Sequence, residues 1–216
     1  MKKIYLLSGP GTTEGFSNVV SKELEKDLKD TKTITFIASS PKNHEKNISF
    51  VYGSDKITGM INHLKGLADF KIVNIVDEKN KYLDINSDVI YLLGGNYETQ
   101  LSFIKENKFE EILKNYNGIL LCTSCGAMNI AKYGYYSKDD DIEKSFFYEG
   151  IGLTNITIDP HFEIENEIQV KEDRKMSFEH VIYGVPNSSC IRINNNKVEM
   201  IGKVYEFNNG NVIEYN

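Results

Sequence analysis

The chain has 216 residues, enough for one large domain or two small ones. Hydrophobic residues make up 40% and charged residues 26%, a balance typical of a globular protein that buries a sizeable core. The net charge of −6, without any block of lysine and arginine, argues against a general nucleic-acid binder, because phosphate contacts need a concentrated basic face.

Apolar runs rich in β-branched residues alternate with segments of helical period over the first two thirds of the chain. The predicted strands are Lys3–Leu7, Thr33–Ala38, Lys71–Val76, Asp88–Leu93 and Gly118–Cys122. The predicted helices are Glu14–Lys29, Asp55–Leu67, Tyr97–Asn115 and Ala127–Lys132. Nearly continuous apolar strands between helices indicate a mostly parallel sheet covered on both faces, that is, a three-layer α/β/α sandwich.

The pattern changes after about residue 135, where short strands are separated by Asn/Gly turns. The predicted strands of this part are Phe146–Leu153, Ile156–Phe162, Val181–Val185, Ser189–Ile193, Val198–Ile201 and Val212–Tyr215. We expect them to be antiparallel and to close the same sheet. No linker or repeat interrupts the chain, so residues 1–216 are predicted to form a single domain.

The lack of a recognisable secretory signal and the small number of cysteines both favour the cytoplasm. The first apolar run is too short for the core of a secretory signal and is followed by Ser8-Gly9-Pro10-Gly11 rather than a cleavage site. No apolar run is long enough to cross a bilayer, so no membrane partner is expected. Three cysteines give no disulfide framework, which favours a reducing compartment.

Three features could indicate a metal or cofactor site, namely Gly9-Pro10-Gly11, Asp139-Asp140-Asp141 and the pair Cys122 and Cys125. Gly9-Pro10-Gly11 departs from the dinucleotide fingerprint, because its third glycine is misplaced and Pro10 lacks a backbone N–H. Asp139-Asp140-Asp141 lacks the alternate spacing of a calcium loop. A zinc site would need a second cysteine pair, which Cys190 and the scattered histidines do not supply. We therefore expect neither a metal nor a cofactor.

The segment "GILLCTSCGAMNIAKYG" admits two interpretations. Cys122 and Cys125 lie at a strand-to-helix junction, where a Cys-x-x-Cys pair can carry redox chemistry. Alternatively, Ser124 is a nucleophile at the tip of a sharp turn, which requires small residues two positions before and after it. Gly126 satisfies that requirement and Cys122 nearly does, so the serine interpretation fits better.

Two further segments contain groups that a serine nucleophile would need. In "DVIYLLGGNYETQL" a strand runs into Gly94-Gly95-Asn96, where paired glycines let backbone N–H groups approach a substrate oxygen. In "ITIDPHFEIENE" His161 follows a strand and a proline. The other three histidines lie in polar or helical settings, which makes His161 the candidate general base.

These motifs together resemble the peptidase E group, serine hydrolases that comprise aspartyl dipeptidases and cyanophycinases. The resemblance depends on Leu93-Gly94-Gly95-Asn96 with Gln100-Leu101, on Ser124-Cys125-Gly126-Ala127, and on Asp159-Pro160-His161-Phe162, in that order along the chain. It implies a class I glutamine-amidotransferase-like sandwich and a cytoplasmic, metal-independent serine peptidase. Its substrates would be short peptides, including dipeptides with an N-terminal aspartate.

The resemblance also implies roles for individual residues. Ser124 would be the nucleophile and His161 the general base, while the N–H groups of Gly95 and Cys125 would form the oxyanion hole. Cys125 stands where the family usually has alanine. The family's third acidic residue aligns with Asn187 in "YGVPNSSC", where a glutamate is expected.

An asparagine can orient an imidazole through its side-chain oxygen, but it lacks the charge that stabilises imidazolium. Glu163 is the alternative third member, because on an extended segment it would lie on the same face as His161.

Substrate binding is the least constrained part of the prediction. The resemblance assigns Arg174 to the substrate's acidic side chain, and it also places Asn96 among the substrate-binding residues. Arg174 is one of only two arginines in the chain, and a guanidinium suits bidentate carboxylate binding. An amidase or esterase on the same residues, and a redox or non-peptidase protein using Cys122 and Cys125, remain alternatives. The sequence allows a homodimer but does not specify an oligomeric state.

Overall fold

The computed structural model describes residues 2–10, 15–83, 85–138, 143–195 and 197–216. In chain order the elements are β1 (Lys3–Leu7), α1 (Asn18–Leu28), β2 (Thr33–Ile37), α2 (His44–Tyr52), β3 (Gly53–Ser54), β4 (Ile57–Thr58), α3 (Met60–His63), β5 (Ile72–Val76), β6 (Val89–Leu92), α4 (Tyr97–Glu106), α5 (Phe109–Asn115), β7 (Ile119–Thr123), α6 (Cys125–Ile130), β8 (Tyr133–Tyr136), β9 (Phe146–Glu149), β10 (Thr157–Pro160), α7 (Glu167–Met176), β11 (Ile182–Val185), β12 (Cys190–Asn194), β13 (Lys197–Ile201), β14 (Val204–Asn208) and β15 (Asn211–Tyr215). No helix of the described segments is long and apolar enough to cross a membrane.

A seven-stranded sheet forms the centre, in the order β13-β12-β1-β7-β6-β2-β5. Strands β1, β7, β6, β2 and β5 run parallel to one another. Strand β12 pairs antiparallel with β1, and β13 pairs antiparallel with β12 at the edge of the sheet. Alternate side chains of β1 enter two separate cores, Ile4 and Leu6 on one face and Tyr5 and Leu7 on the other. Helix α1 covers one of these faces and α4 the other, which gives the predicted three layers.

The remaining C-terminal strands do not close this sheet, contrary to the prediction. Strands β10, β11, β14 and β15 form a second sheet in the order β10-β11-β14-β15, β8 and β9 pair with each other, and β12 and β13 join the central sheet. Strands β10 and β11 are parallel to each other, whereas β14 and β15 pair antiparallel. The second sheet has a core of its own, in which the ring of Phe162 packs against Tyr205 and Phe207. Strand propensity predicted β10, β11 and β15, but it could not assign them to one sheet or the other.

Several predicted boundaries were wrong. A helix was expected at Asp55–Leu67, but the structure has α2 at His44–Tyr52, a short β3–β4 hairpin and then α3. The hairpin starts at Gly53, whose φ of +94° and close approach to the backbone of Gly59 end the helix. The long helix expected at Tyr97–Asn115 breaks at Lys108, which has a φ of +58°.

The sequence prediction also omitted three elements, namely β8, α7 as a defined helix, and β14. Some predicted features fall outside the described residues. These are Gly11, the start of the first helix at Glu14, and Asp139-Asp140-Asp141.

The two sheets meet where β1 and β11 end. The hydroxyl of Ser8, just after β1 and fully buried, donates a hydrogen bond to the carbonyl oxygen of Val185, the last residue of β11. The N–H of Phe162 donates to the same carbonyl at 3.2 Å. This junction brings the carboxyl ends of β1 and β7 next to those of β10 and β11, the position at which α/β proteins commonly place ligand sites.

Candidate active site

Ser124 occupies a sharp turn between β7 and α6. Its φ of +51° and ψ of −119° lie outside the conformations that a residue with a Cβ ordinarily adopts. The turn is held on both sides, because the Ser124 N–H donates to Leu7 O at 2.8 Å and the Ser124 carbonyl accepts from Ala127 N at 2.9 Å. Such a strained serine at the start of a helix has the geometry of a nucleophile elbow.

The glycine that follows makes this turn possible. A Cβ added to Gly126 would lie 2.6 Å from the carbonyl oxygen of Leu92 and 2.8 Å from the Leu92 Cβ. Helix α6 therefore packs against β6 at a distance that only glycine allows. This close packing is the physical basis of the small-residue requirement from which the elbow was predicted.

His161 lies between Ser124 and Asn187. Its Nε2 is 3.0 Å from the hydroxyl oxygen of Ser124, and its Nδ1 is 2.7 Å from the side-chain oxygen of Asn187. Because an amide oxygen only accepts, Nδ1 carries the proton and donates it, which leaves Nε2 free to accept from the serine hydroxyl. The structure thus brings three predicted site residues into one hydrogen-bonded chain.

Glu163 does not orient the imidazole in this structure. The alternative assumed an extended backbone, but His161 has a φ of +57°, which breaks the strand alternation. The Glu163 N–H donates to the Gln169 side-chain oxygen at 3.0 Å, and its carboxylate is on the exposed side of the cleft. In this structure the side chain that contacts His161 Nδ1 is that of Asn187.

The Gly94-Gly95 loop lies directly against the serine. A Cβ added to Gly94 would be 3.2 Å from the Ser124 Cβ, and one added to Gly95, whose φ is +143°, would be 2.4 Å from the Ser39 hydroxyl. Gly95 and Cys125 both line the cleft around Ser124. Burial raises the pKa of the Cys125 thiol to about 12, although the neighbouring Gly95 backbone opposes part of this shift.

The cleft has a volume of about 520 Å³ and extends away from Ser124 and His161. Besides these two residues its lining includes residues that the sequence analysis did not single out, namely Met128, Tyr135, Tyr136, Ser137, Lys138, Asp159, Asn166, Ile168 and Gln169. Asp159 could have been found, because it belongs to the Asp159-Pro160-His161-Phe162 motif that contains the predicted base. Residues from α7 and β8 had no sequence signal, since those elements were not predicted.

A buried carboxyl pair lies beneath this cleft. Asp159 and Asp173 interact electrostatically, and both side chains are almost completely buried. Gln169 Nε2 donates to Asp159 Oδ2 at 2.7 Å, and the Tyr135 hydroxyl donates to Asp173 Oδ1 at 2.8 Å. Burial raises the pKa of both carboxyls, and their mutual repulsion when ionised raises that of Asp159 further. Burial therefore favours protonation of this pair.

The cysteine pair has no features of a redox site. Cys122, Cys125 and Cys190 are all free thiols, and all are buried. Burial raises the pKa of Cys122 as well as that of Cys125, so neither thiol forms the thiolate that exchange chemistry requires. Burial and the raised pKa values argue against the redox interpretation of Cys122 and Cys125.

The two predicted substrate-binding side chains do not line the cleft. The exposed guanidinium of Arg174 donates to Gly210 O at 2.7 Å, in the turn between β14 and β15. The Asn96 side chain accepts from Thr99 N at 2.9 Å and so caps α4. Arg174 was assigned by the family resemblance, which gave no information on the direction of its side chain. Capping explains Asn96 without a ligand.

The comparison with sequence families agrees with this geometry. The profile of Peptidase family S51 matches residues 4–201. The chain belongs to peptidase family S51. Members of this family are serine-type peptidases, so the protein is a hydrolase of that type, and the resemblance to the peptidase E group is confirmed.

A solved structure similar to this S51 protein supports the fold. It is the crystal structure of a candidate peptidase E protein from Listeria monocytogenes EGD-e, with 19% identity and a TM-score of 0.61 over 93% of this chain and 98% of that chain. At this level of identity the likeness concerns the fold, and it confirms the α/β sandwich with a mostly parallel sheet. No curated protein sequence gave a match.

Proposed function

We propose that the protein hydrolyses short peptides through an acyl-enzyme on Ser124. The observation that carries the proposal is the chain from the Ser124 hydroxyl to His161 Nε2, at 3.0 Å, and from His161 Nδ1 to Asn187 Oδ1, at 2.7 Å. Both distances are within the range needed for proton transfer and for orientation of the base.

In the proposed reaction His161 Nε2 takes the hydroxyl proton while Ser124 Oγ attacks the peptide carbonyl carbon. The resulting oxyanion is stabilised by the N–H groups of Gly95 and Cys125. The imidazolium then gives its proton to the leaving amine, the C–N bond breaks and the acyl-enzyme remains. Water, deprotonated by the same imidazole, attacks the ester and releases the acid and the serine hydroxyl.

Asn187 in this scheme fixes the tautomer and the plane of the imidazole. Its oxygen accepts from Nδ1, which is the function that a carboxylate would also perform. It contributes no negative charge to the imidazolium that forms in the transition state. We therefore expect a slower enzyme than a carboxylate at this position would give.

For the substrate we propose short peptides with an acidic residue before the scissile bond, as the family resemblance implies. Arg174 cannot supply the cation in the observed conformation, because its guanidinium contacts Gly210. Among the described residues that line the cleft, Lys138 carries the one permanent positive charge, and it is exposed at the rim. Burial raises the pKa of Asp159 in the cleft lining, which reduces the repulsion that an acidic substrate would meet there.

The test is a hydrolysis screen of dipeptides that differ only in the first residue, together with labelling by a serine-directed phosphonate. Ser124-dependent cleavage with the phosphonate bound to Ser124 is expected. Hydrolysis of amides or esters but of no peptide would favour the amidase or esterase alternative. For specificity, Lys138→Ala should raise KM for an Asp-containing dipeptide more than for an Ala-containing one, while the matched variant Arg174→Ala should change both equally.

A further inference from the structure

The loop from Leu93 to Gly95 is held by side chains that are not part of the proposed catalytic chain. Each of its first two carbonyl groups accepts a hydrogen bond from a buried polar residue on a different element. Leu93 O accepts from Gln100 on α4, and Gly94 O accepts from Ser39, which follows β2. The two carbonyls are therefore fixed from two separate elements of the fold.

Ser39 holds the loop at close range. Its hydroxyl donates to Gly94 O at 2.5 Å, and its side chain is fully buried. The Gly95 backbone lies so close that an added Cβ would be 2.4 Å from the Ser39 oxygen. The Ser39 carbonyl is itself fixed, since it accepts from the Thr99 hydroxyl at 2.8 Å. A shift of this loop would thus break contacts on both sides of Ser39.

Gln100 holds the other carbonyl from inside the core. Its amide is fully buried, and Nε2 donates to Leu93 O at 2.9 Å. The amide oxygen accepts from Asn129 Nδ2 at 3.1 Å, and Asn129 lies on α6, the helix that begins at the elbow. Asn129 Nδ2 also donates to Tyr97 O at 2.9 Å. Two buried amides therefore connect the glycine loop to the helix that presents Ser124 and Cys125.

We propose that Gln100 and Ser39 are positioning residues for the oxyanion hole, which fix the distance between the Gly95 N–H and the elbow. The proposal deepens the proposed function and depends on it. An oxyanion donor stabilises the transition state only when it already points at the developing charge, and a loop of two glycines cannot hold that orientation by itself. Buried polar groups with satisfied partners give the required rigidity.

The experiment compares Gln100→Met and Ser39→Ala with a control that loses an equally buried hydrogen bond elsewhere. The control is Thr35→Val, because the Thr35 hydroxyl is fully buried and bonded to the Ser87 hydroxyl at 2.6 Å, outside the cleft lining. For each variant kcat and KM are measured on the best dipeptide of the screen, with thermal unfolding and the inhibition constant of a peptide aldehyde. The aldehyde adds to Ser124 and places a tetrahedral oxyanion in the hole.

We expect Gln100→Met to lower kcat by about 10- to 100-fold, below the loss for removing a whole donor, with KM changed by less than about threefold. Ser39→Ala should lower kcat by about tenfold. In both variants the aldehyde should lose affinity by the same factor as kcat/KM. Thr35→Val should lose thermal stability but keep kcat and aldehyde affinity.

Wild-type kcat and aldehyde affinity in folded Gln100→Met and Ser39→Ala would overturn the proposal and leave the proposed function intact. An equal loss of kcat in Thr35→Val would overturn it too, since the effect would then be one of general stability. If Gln100→Met does not fold, Ser39→Ala decides. A wild-type protein without Ser124-dependent hydrolysis would refute the proposed function, and the positioning role with it.

Discussion

The candidate site joins two halves that are built in different ways. The nucleophile half is one continuous segment, β7, Ser124 and α6, whose turn is set by local strain and by the contact of Gly126 with Leu92. The base half comes from two loops 26 residues apart that follow the parallel strands β10 and β11. Pro160 at the end of β10 is paired with Val185 at the end of β11, so the segments that carry His161 and Asn187 begin next to each other.

Because of this difference, substitutions in the two halves should affect catalysis differently. The elbow depends on residues adjacent in sequence, so one change there acts directly on the reacting oxygen. The base half depends on strand register and on the Ser8 contact between the sheets, and its outer residues are exposed. We expect changes in the nucleophile half to be all-or-none for catalysis and changes in the base half to be graded.

The largest effect is expected for Ser124→Ala. Removing the proposed nucleophile should lower kcat by on the order of 10³-fold or more, because the acyl-enzyme can no longer form. The measurement is steady-state hydrolysis of the best dipeptide, with the exposed Ser54→Ala as matched control. Retention of more than a few per cent of activity in Ser124→Ala would remove the basis of the proposal.

In the base half Asn187→Ala should lower kcat by about 10²-fold, since the imidazole loses the acceptor that fixes its tautomer. Glu163→Gln should change kcat by less than about threefold, because its carboxylate has no contact with the imidazole. The two variants are compared under identical conditions, and the reverse ranking would restore Glu163 as the third member.

The same position offers a sharper test with an isosteric change. Asn187→Asp keeps the oxygen that accepts from His161 Nδ1 and adds a negative charge. We expect kcat to hold or rise, and the acid limb of the kcat/KM profile to move to higher pH, because the carboxylate stabilises the imidazolium. An unchanged acid limb would show that residue 187 does not act on the base.

A smaller effect is expected on stability from the buried carboxyl pair. The folded state raises the pKa of Asp159 and Asp173, so it binds more protons than the unfolded chain. The stability that the pair contributes is complete below about pH 4, the ordinary range of a carboxyl, and is lost as the pH rises through the raised values. Stability should therefore fall from pH 5 to pH 8.

Asp173→Asn tests this dependence, because an amide keeps the acceptor for Tyr135 and can donate to Asp159. It should raise the free energy of unfolding at pH 8 by about 1–3 kcal/mol and have less effect at pH 5. Urea unfolding at the two pH values measures the difference. The other charged group near the pair, Glu172, is unchanged in the variant. The same change in unfolding free energy at both pH values would contradict the raised pKa values of the pair.

The smallest effect is expected for Cys125→Ala. The proposal uses only the backbone N–H of this residue, and its thiol makes only long contacts with Leu93 O, at 3.6 Å, and Gln100 Oε1, at 3.9 Å. Turnover should change by less than about threefold, and native protein should resist alkylation of its three buried thiols. Loss of activity comparable with Ser124→Ala would instead implicate the thiol in the chemistry.

Much of this protein could be predicted from sequence, because those features depend on neighbouring residues. Alternation of apolar strands with helices gave the α/β sandwich, and the small residue after Ser124 gave the elbow, since the turn leaves no room for a Cβ at Gly126. The strand ends before Gly94 and His161 likewise located the loops that meet Ser124. Local sterics and side-chain periodicity are encoded within about ten residues, so a single sequence reveals them.

Only the tertiary structure decided the features that depend on distant pairing. Strand propensity could not divide the C-terminal strands between two sheets, because that choice depends on the core that Phe162 and Phe207 form together. It could not choose between Asn187 and Glu163, because the choice rests on the register of β10 with β11 and on the left-handed backbone at His161. Nor could it show that Arg174 contacts Gly210, since a side chain's direction is set by the packing of elements remote in sequence.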